Sequence, residues 1–233
     1  MGVGFDDLTR ENAIDLCKRL IDEHRSAYMV TPNPEIVMAA WENAELHDAI
    51  CNADLVIPDG IGVVKAARII GTPLKERLPG IEIGEAILEY AAQTGKSVFL
   101  LGAKPGVADA AKEKMQETYP GLNVCGTNDG YFKDDGPVVE KINAAQPDFL
   151  MVCLGAPKQE LFMAKYGEAT GCHLLMGLGG SMDIFAGVAQ RAPEFYCKHN
   201  LEWFYRLIKN PSRIGRMMKL PLFLVHVSGE KRK

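Results

Sequence analysis

The chain has 233 residues, of which 47% are hydrophobic and 24% charged, with a formal net charge of −4. That balance describes a water-soluble globular protein with enough apolar residues for a sizeable core, and it excludes a disordered or fibrous chain. No run of about 18 apolar residues occurs, so nothing reads as a membrane span. Taken in order, the apolar spacing predicts a helix over 12–24 and a short strand over 27–30 that ends at T-P-N-P. A helical stretch follows over 35–53, with a break near Asn43. Leu55, Val56 and Ile57 read as a buried strand that Pro58 stops, because proline cannot donate to a ladder. Helices over 60–70 and 81–94 flank the polar loop G-T-P-L-K-E-R-L-P-G. A strand over 97–101, a helix over 106–118 and a weak strand over 123–126 lead to the turn-rich N-D-G-Y-F-K-D-D-G. The series continues with a helix over 138–145, a strand over 149–154, a helix over 158–169 and a strand over 173–177.

Short apolar runs alternating with helical spacing are the signature of βαβ units on a parallel sheet. The expected fold class is therefore α/β: a Rossmann-like, largely parallel sheet flanked by helices over 1–190. After Arg191 the strand pattern stops. Helices near 193–209 and 212–226, separated by Asn210-Pro211, form a C-terminal helical appendage over 191–233. That segment holds ten Lys/Arg against three Asp/Glu, whereas the rest holds 16 against 27. A basic tail on an acidic body suits an anionic partner: nucleic acid, phosphate groups or a membrane surface. The start, M-G-V-G-F-D-D-L, has acids where a secretory leader needs bases. The six cysteines contain no C-x-x-C pair, which fits free thiols in a cytoplasmic setting.

In an open parallel sheet the loops after the strands build the site. Here they are 31–34, 58–62, 102–106, 155–160 and 177–183, each rich in Gly, Pro and polar residues. Helix N-termini preceded by glycine attract anions, so several on one edge suit a nucleotide or phosphorylated ligand. G-x-G-x-x-G and G-x-x-x-x-G-K-[ST] are absent, which argues against hydride transfer and P-loop chemistry. D-x-D, H-E-x-x-H and Cys/His clusters are also missing, so no dedicated metal site is indicated and no cofactor is expected. Without a metal, charge on a departing phosphate falls to Arg, Lys or helix ends. Asp59 stands on the rim right after a strand; as a lone observation it reads first as a helix N-cap and second as a site residue. Arg213 and Arg216 share a helical face and read either as phosphate ligands or as a solvated, lipid-facing basic surface.

T-P-N-P-E, P-D-G-I-G, R-L-P-G, G-A-P-K-Q-E, G-L-G-G-S-M-D-I-F-A-G, Q-R-A-P-E and L-E-W-F-Y-R-L-I-K-N-P-S-R-I-G-R run in order from about 27 to 216. This set resembles the WecG/TagA/CpsF family of bacterial glycosyltransferases, nearest to its teichoic acid members. The resemblance implies an inverting, metal-independent enzyme. It would transfer N-acetylmannosamine from a UDP-sugar donor to the 4-hydroxyl of undecaprenyl-diphosphate-linked N-acetylglucosamine, giving a β linkage. It implies Asp59 as catalytic base, with Arg206, Arg213 and Arg216 on the diphosphate. Thr31, Asn33, Gly60, Arg77, Gln159, Gly179 and Gly180 would bind substrate, and Asp183 would hold a ribose hydroxyl or cap a helix. A cytoplasmic protein lying peripherally on anionic inner-leaflet lipid follows, with no nucleic-acid partner. The apolar tail residues Trp203, Phe204, Leu207, Ile208, Met217, Met218 and 220–227 would meet lipid, or else pack on the core or in a homo-oligomer interface. Two other readings stand beside this one: the same family with UDP-glucose or UDP-N-acetylmannosaminuronic acid as donor, and a non-catalytic nucleotide-binding module that docks on membranes.

Overall fold

A computed structural model describes residues 2–209, 211, 214–217 and 219–230. Six strands form one sheet: β1 (Ala27–Val30), β2 (Leu55–Val56), β3 (Ser97–Gly102), β4 (Asn123–Asn128), β5 (Phe149–Cys153) and β6 (Leu174–Gly177). Their order is β2-β1-β6-β5-β3-β4, and every pair is parallel. The strands are apolar on both faces because helices cover both. Met29, Leu100, Met151 and Met176 point to one side, and Val30, Leu101, Val152 and Leu175 to the other.

The first face carries α1 (Arg10–Asp22), α5 (Gly80–Thr94), α6 (Val107–Thr118) and α9 (Ser181–Phe185). The second carries α2 (Pro34–Glu42), α3 (Ala44–Cys51), α7 (Gly136–Ala145) and α8 (Lys158–Tyr166). β1 is thus followed by a helix on one face and its neighbour β6 by a helix on the other. Adjacent loops that leave in opposite directions open a crevice between them, where α/β sheets bind ligands.

Helix starts follow local chemistry. Thr9 caps α1 by accepting from Asn12 N–H, Asn33 caps α2 from Ile36 N–H, and Asn43 caps α3 from Leu46 N–H. The break near Asn43 is therefore a cap. Several expected elements differ, and the helix expected near 212–226 is described as two, Ile214–Met217 and Lys219–Glu230. The helix over 158–169 ends at Tyr166 and continues as a 3₁₀ turn, Glu168–Thr170. The weak strand over 123–126 extends to Asn128, pairing with β3 across a register shift at Val98/Phe99. The single helix near 193–209 is two, α10 (Glu194–Lys198) and α11 (Glu202–Lys209), parted by Asn200 in the left-handed region at φ 58°.

α4 (Ile61–Ile70) follows β2, while α12 (Ile214–Met217) and α13 (Lys219–Glu230) end the described chain. α13 lies across α2 and α4, burying Phe223 and Val227 against Val37, Met38 and Ala66. Part of the apolar surface expected to face lipid is thus spent on the body of the protein. Among the described residues, no helix is long and apolar enough to cross a membrane.

Candidate active site

A cleft of about 390 Å³ opens at the carboxyl edge of β2, β1, β6 and β5, within the ~300–1,000 Å³ range of small-molecule sites. Four of the five expected loops line it through Thr31 and Asn33, Asp59 and Gly60, Gly155 and Ala156, and Leu178 to Ser181. The fifth, 102–106, does not. It follows β3, which lies beyond β5 on the far half of the sheet, and that placement corrects the expectation. The first residues of α2, α4, α5 and α9 all border the cleft, so the positive dipole ends of these helices favour an anion there.

Asp59 is not a cap. Gly60 occupies the N-cap of α4 and no side chain bonds that helix start. The Asp59 carboxylate instead faces the cleft, about one third exposed. Its immediate neighbour is Arg77, from the loop before α5. Arg77 Nε donates to the Asp59 carbonyl at 2.6 Å, and its Nη2 stands 3.7 Å from Asp59 Oδ1. The same Nη2 makes a direct ion pair with Glu202, at the start of α11. Gly60 lets the turn after β2 pack on the turn after β1, because a Cβ there would meet Pro34 Cδ at 2.8 Å and Asn33 Cβ at 3.2 Å.

The other side chains are engaged in holding the loops. The buried Thr31 hydroxyl donates to Gly177 O at 2.9 Å and so ties the end of β1 to the end of β6. Asn33 Oδ1 is used by its cap. Gln159, expected to meet the sugar, is 2% exposed. Its Oε1 accepts from Gly179 N–H at 3.0 Å and its Nε2 donates to Glu160 Oε1 at 2.9 Å, which pins the β6–α9 loop. Gly177 leaves room for that amide, since a Cβ would meet Gln159 Nε2 at 3.0 Å and Met163 Cε at 2.8 Å. Burial pushes the Glu160 carboxyl above its ordinary value, against the Gln159 hydrogen bond.

Asp183 lies in the first turn of α9 and is not among the residues that border the cleft. The Arg206 and Arg216 side chains and all of Arg213 lie outside the described residues; the backbones of 206 and 216 sit in α11 and α12. Sequence reasoning missed Glu35, Asn200, Glu202 and Trp203, which border the cleft. The motif L-E-W-F-Y contained two of them, but only the folded contact with Arg77 singles out Glu202. His24, Asp148 and His173 meet at the opposite end of the sheet, before β1, β5 and β6.

A parallel α/β sheet with a cleft ringed by helix starts, a half-open carboxylate and an arginine against it defines an enzyme-type anion site. The chain belongs to the WecG/TagA/CpsF family of glycosyltransferases, whose model matches residues 1–233. It is 40% identical over 212 residues to a protein of Bacillus spizizenii strain W23, covering 91% of this chain and 82% of that one. A Bacillus subtilis strain 168 protein is 38% identical over 215 residues, covering 92% and 84%. A Staphylococcus aureus strain MW2 protein is 36% identical over 236 residues, covering 100% and 92%. All three are named N-acetylglucosaminyldiphosphoundecaprenol N-acetyl-beta-D-mannosaminyltransferase. The protein is therefore a glycosyltransferase, which sets aside the non-catalytic docking module.

Proposed function

We propose that the protein moves N-acetylmannosamine from UDP-N-acetylmannosamine to the 4-hydroxyl of undecaprenyl-diphosphate-linked N-acetylglucosamine, with inversion, in building the linkage unit of wall teichoic acid. The names of the relatives support donor sugar and acceptor together. The observation that carries the chemistry is Asp59 at the cleft mouth, beside Arg77 and among converging helix starts. The acceptor hydroxyl gives its proton to the Asp59 carboxylate as its oxygen bonds to the anomeric carbon. The bond from that carbon to the diphosphate oxygen breaks on the opposite side, and the electron pair leaves with UDP. Arg77 and the backbone N–H groups of the helix starts stabilise the negative charge that collects there. Arg206, Arg213 and Arg216 bring further positive charge from the C-terminal segment, in place of a metal ion. The enzyme works on the inner face of the membrane, where a lipid-linked acceptor is available.

The test is product analysis with purified protein, UDP-N-acetylmannosamine and a short-chain lipid-diphosphate acceptor, with UDP-glucose and UDP-N-acetylmannosaminuronic acid in parallel. Transfer from the first donor alone supports the reading, and transfer only from another donor overturns the substrate assignment. Asp59→Asn is expected to keep its melting temperature and lose about 10²-fold or more of turnover, the scale of a general base. Near-normal turnover would remove Asp59 from that role.

A further inference from the structure

We infer that Glu202 is a positioning residue for this transfer, holding the Arg77 guanidinium off the Asp59 carboxylate so that Asp59 stays a competent base. The inference rests on the reading of Asp59 given above and adds a residue from the C-terminal segment to it.

Two carboxylates share one guanidinium. Glu202 is in direct contact with Arg77 Nη2, whereas Asp59 Oδ1 stands 3.7 Å from the same nitrogen. That second distance is within ion-pair range and too long for a hydrogen bond. The Glu202 side chain is 7% exposed and that of Asp59 is 36% exposed. A charge pair shielded from water attracts more strongly than one open to it, so the guanidinium stays with Glu202. Arg77 Nε is anchored at 2.6 Å on the Asp59 carbonyl, which leaves only the outer end of the guanidinium able to swing.

Without Glu202 that end has a part-buried positive charge to satisfy and a carboxylate 3.7 Å away. Closing the gap would give a direct charge-assisted contact. A carboxylate held that way binds a proton at least about tenfold less well, and part of its lone-pair surface is covered. Both effects weaken a base that must take a proton from a sugar hydroxyl. Glu202 opens α11, so the base reaches its working geometry only with the C-terminal segment in place. Among the described residues, Glu35 borders the same cleft, and Arg10, Glu82, Arg191, Glu194, Cys197 and Lys198 line the adjoining pocket on the other side of Arg77. The Cys197 thiol is pushed up by burial first and by the Glu202 charge second, so it remains neutral beside the pair.

The experiment compares wild type, Glu202→Gln, Glu202→Asp and Asp59→Asn in the same transfer assay, and repeats Glu202→Gln in an Arg77→Met background. Glu202→Gln is expected to lower kcat about tenfold to 100-fold, with the donor KM little changed. Its kcat/KM–pH profile should lose activity on the acid side at a lower pH than wild type. Glu202→Asp, which keeps the charge, should recover most of the loss. In the Arg77→Met background the Glu202 change should cost nothing further, because its effect passes through Arg77. A wild-type kcat and acid limb in Glu202→Gln would overturn the inference. An equal loss with Arg77 already replaced would also overturn it, by showing that Glu202 only fastens α11. Normal turnover by Asp59→Asn would instead strike the base assignment itself.

Discussion

Glu160 shows how a single buried group sets the shape of the site. It is 1% exposed, one oxygen receives the Gln159 amide, and the other has no hydrogen-bond partner among the described residues. Burial raises its pKa, so the fold favours the protonated carboxyl. A group whose pKa is higher folded than unfolded contributes stability fully below its unfolded value, and loses it as pH rises through the folded value. The unfolded value is near 4.5, so the loss develops above that pH. Glu160→Gln mimics the neutral form and keeps an acceptor for Gln159. Its stability by urea unfolding should match wild type at pH about 4 and exceed it increasingly toward neutral pH. Glu160→Ala removes the anchor of an amide that holds Gly179, at a cost of about 1–3 kcal/mol, and should raise the donor KM. A wild-type advantage over Glu160→Gln at neutral pH would mean that the carboxylate is ionised and paired in solution.

At the scale of elements, local chemistry was readable and placement was not. The Asn43 break was visible because asparagine both ends one helix and caps the next. The break at Asn200 carried a mark that went unread, because asparagine is one of the few non-glycine residues enriched in the left-handed region and at helix ends. Four site loops were identified by their Gly, Pro and polar composition, and the same composition misassigned 102–106. Strand order decides which loops meet, and that order depends on pairings between residues far apart in sequence. Gln159, expected to meet the sugar, borders the cleft, but its polar ends turn toward the protein. α13 has a comparable hidden role. By packing on α2 and α4 together it braces the two helices whose starts carry Asn33 and Asp59. Phe223 is 3% exposed in that contact, and truncating a buried phenylalanine costs about 3 kcal/mol or more. Phe223→Ala should therefore speed amide hydrogen exchange over 219–230 and at the starts of α2 and α4, while β3 and β5 keep their protection. Unchanged exchange in α2 and α4 would show that α13 braces neither.

Across the whole molecule the charge is divided, with ten Lys/Arg against three acids over 191–233 and an excess of acids elsewhere. Beside a negatively charged bilayer such a molecule experiences a turning force: the body is repelled and the C-terminal segment attracted. Each basic residue near the surface contributes about 1 kcal/mol, and the attraction extends roughly 8 Å at physiological ionic strength. The same segment exposes Phe204 and Ile208 on α11, Ile214 on α12, and Leu222 and Val225 on α13, while Trp41 and Ile70 are exposed on the helices α13 covers. Charge alone would give binding that salt abolishes; apolar insertion alone would give binding indifferent to lipid charge. The two together predict a mixed response. In vesicle co-sedimentation, the protein should bind phosphatidylglycerol-rich vesicles and leave phosphatidylcholine vesicles largely unbound. Molar salt, which shortens the screening length to about 3 Å, should release most of it. Phe204→Glu with Ile208→Glu should remove the salt-resistant remainder, and should slow transfer to a long-chain acceptor in vesicles more than to a short-chain acceptor in solution. Equal binding to neutral and anionic vesicles would overturn the electrostatic half of this account. Equal loss with both acceptors would move Phe204 and Ile208 from the lipid surface to the catalytic cleft that Trp203, their neighbour on α11, already borders.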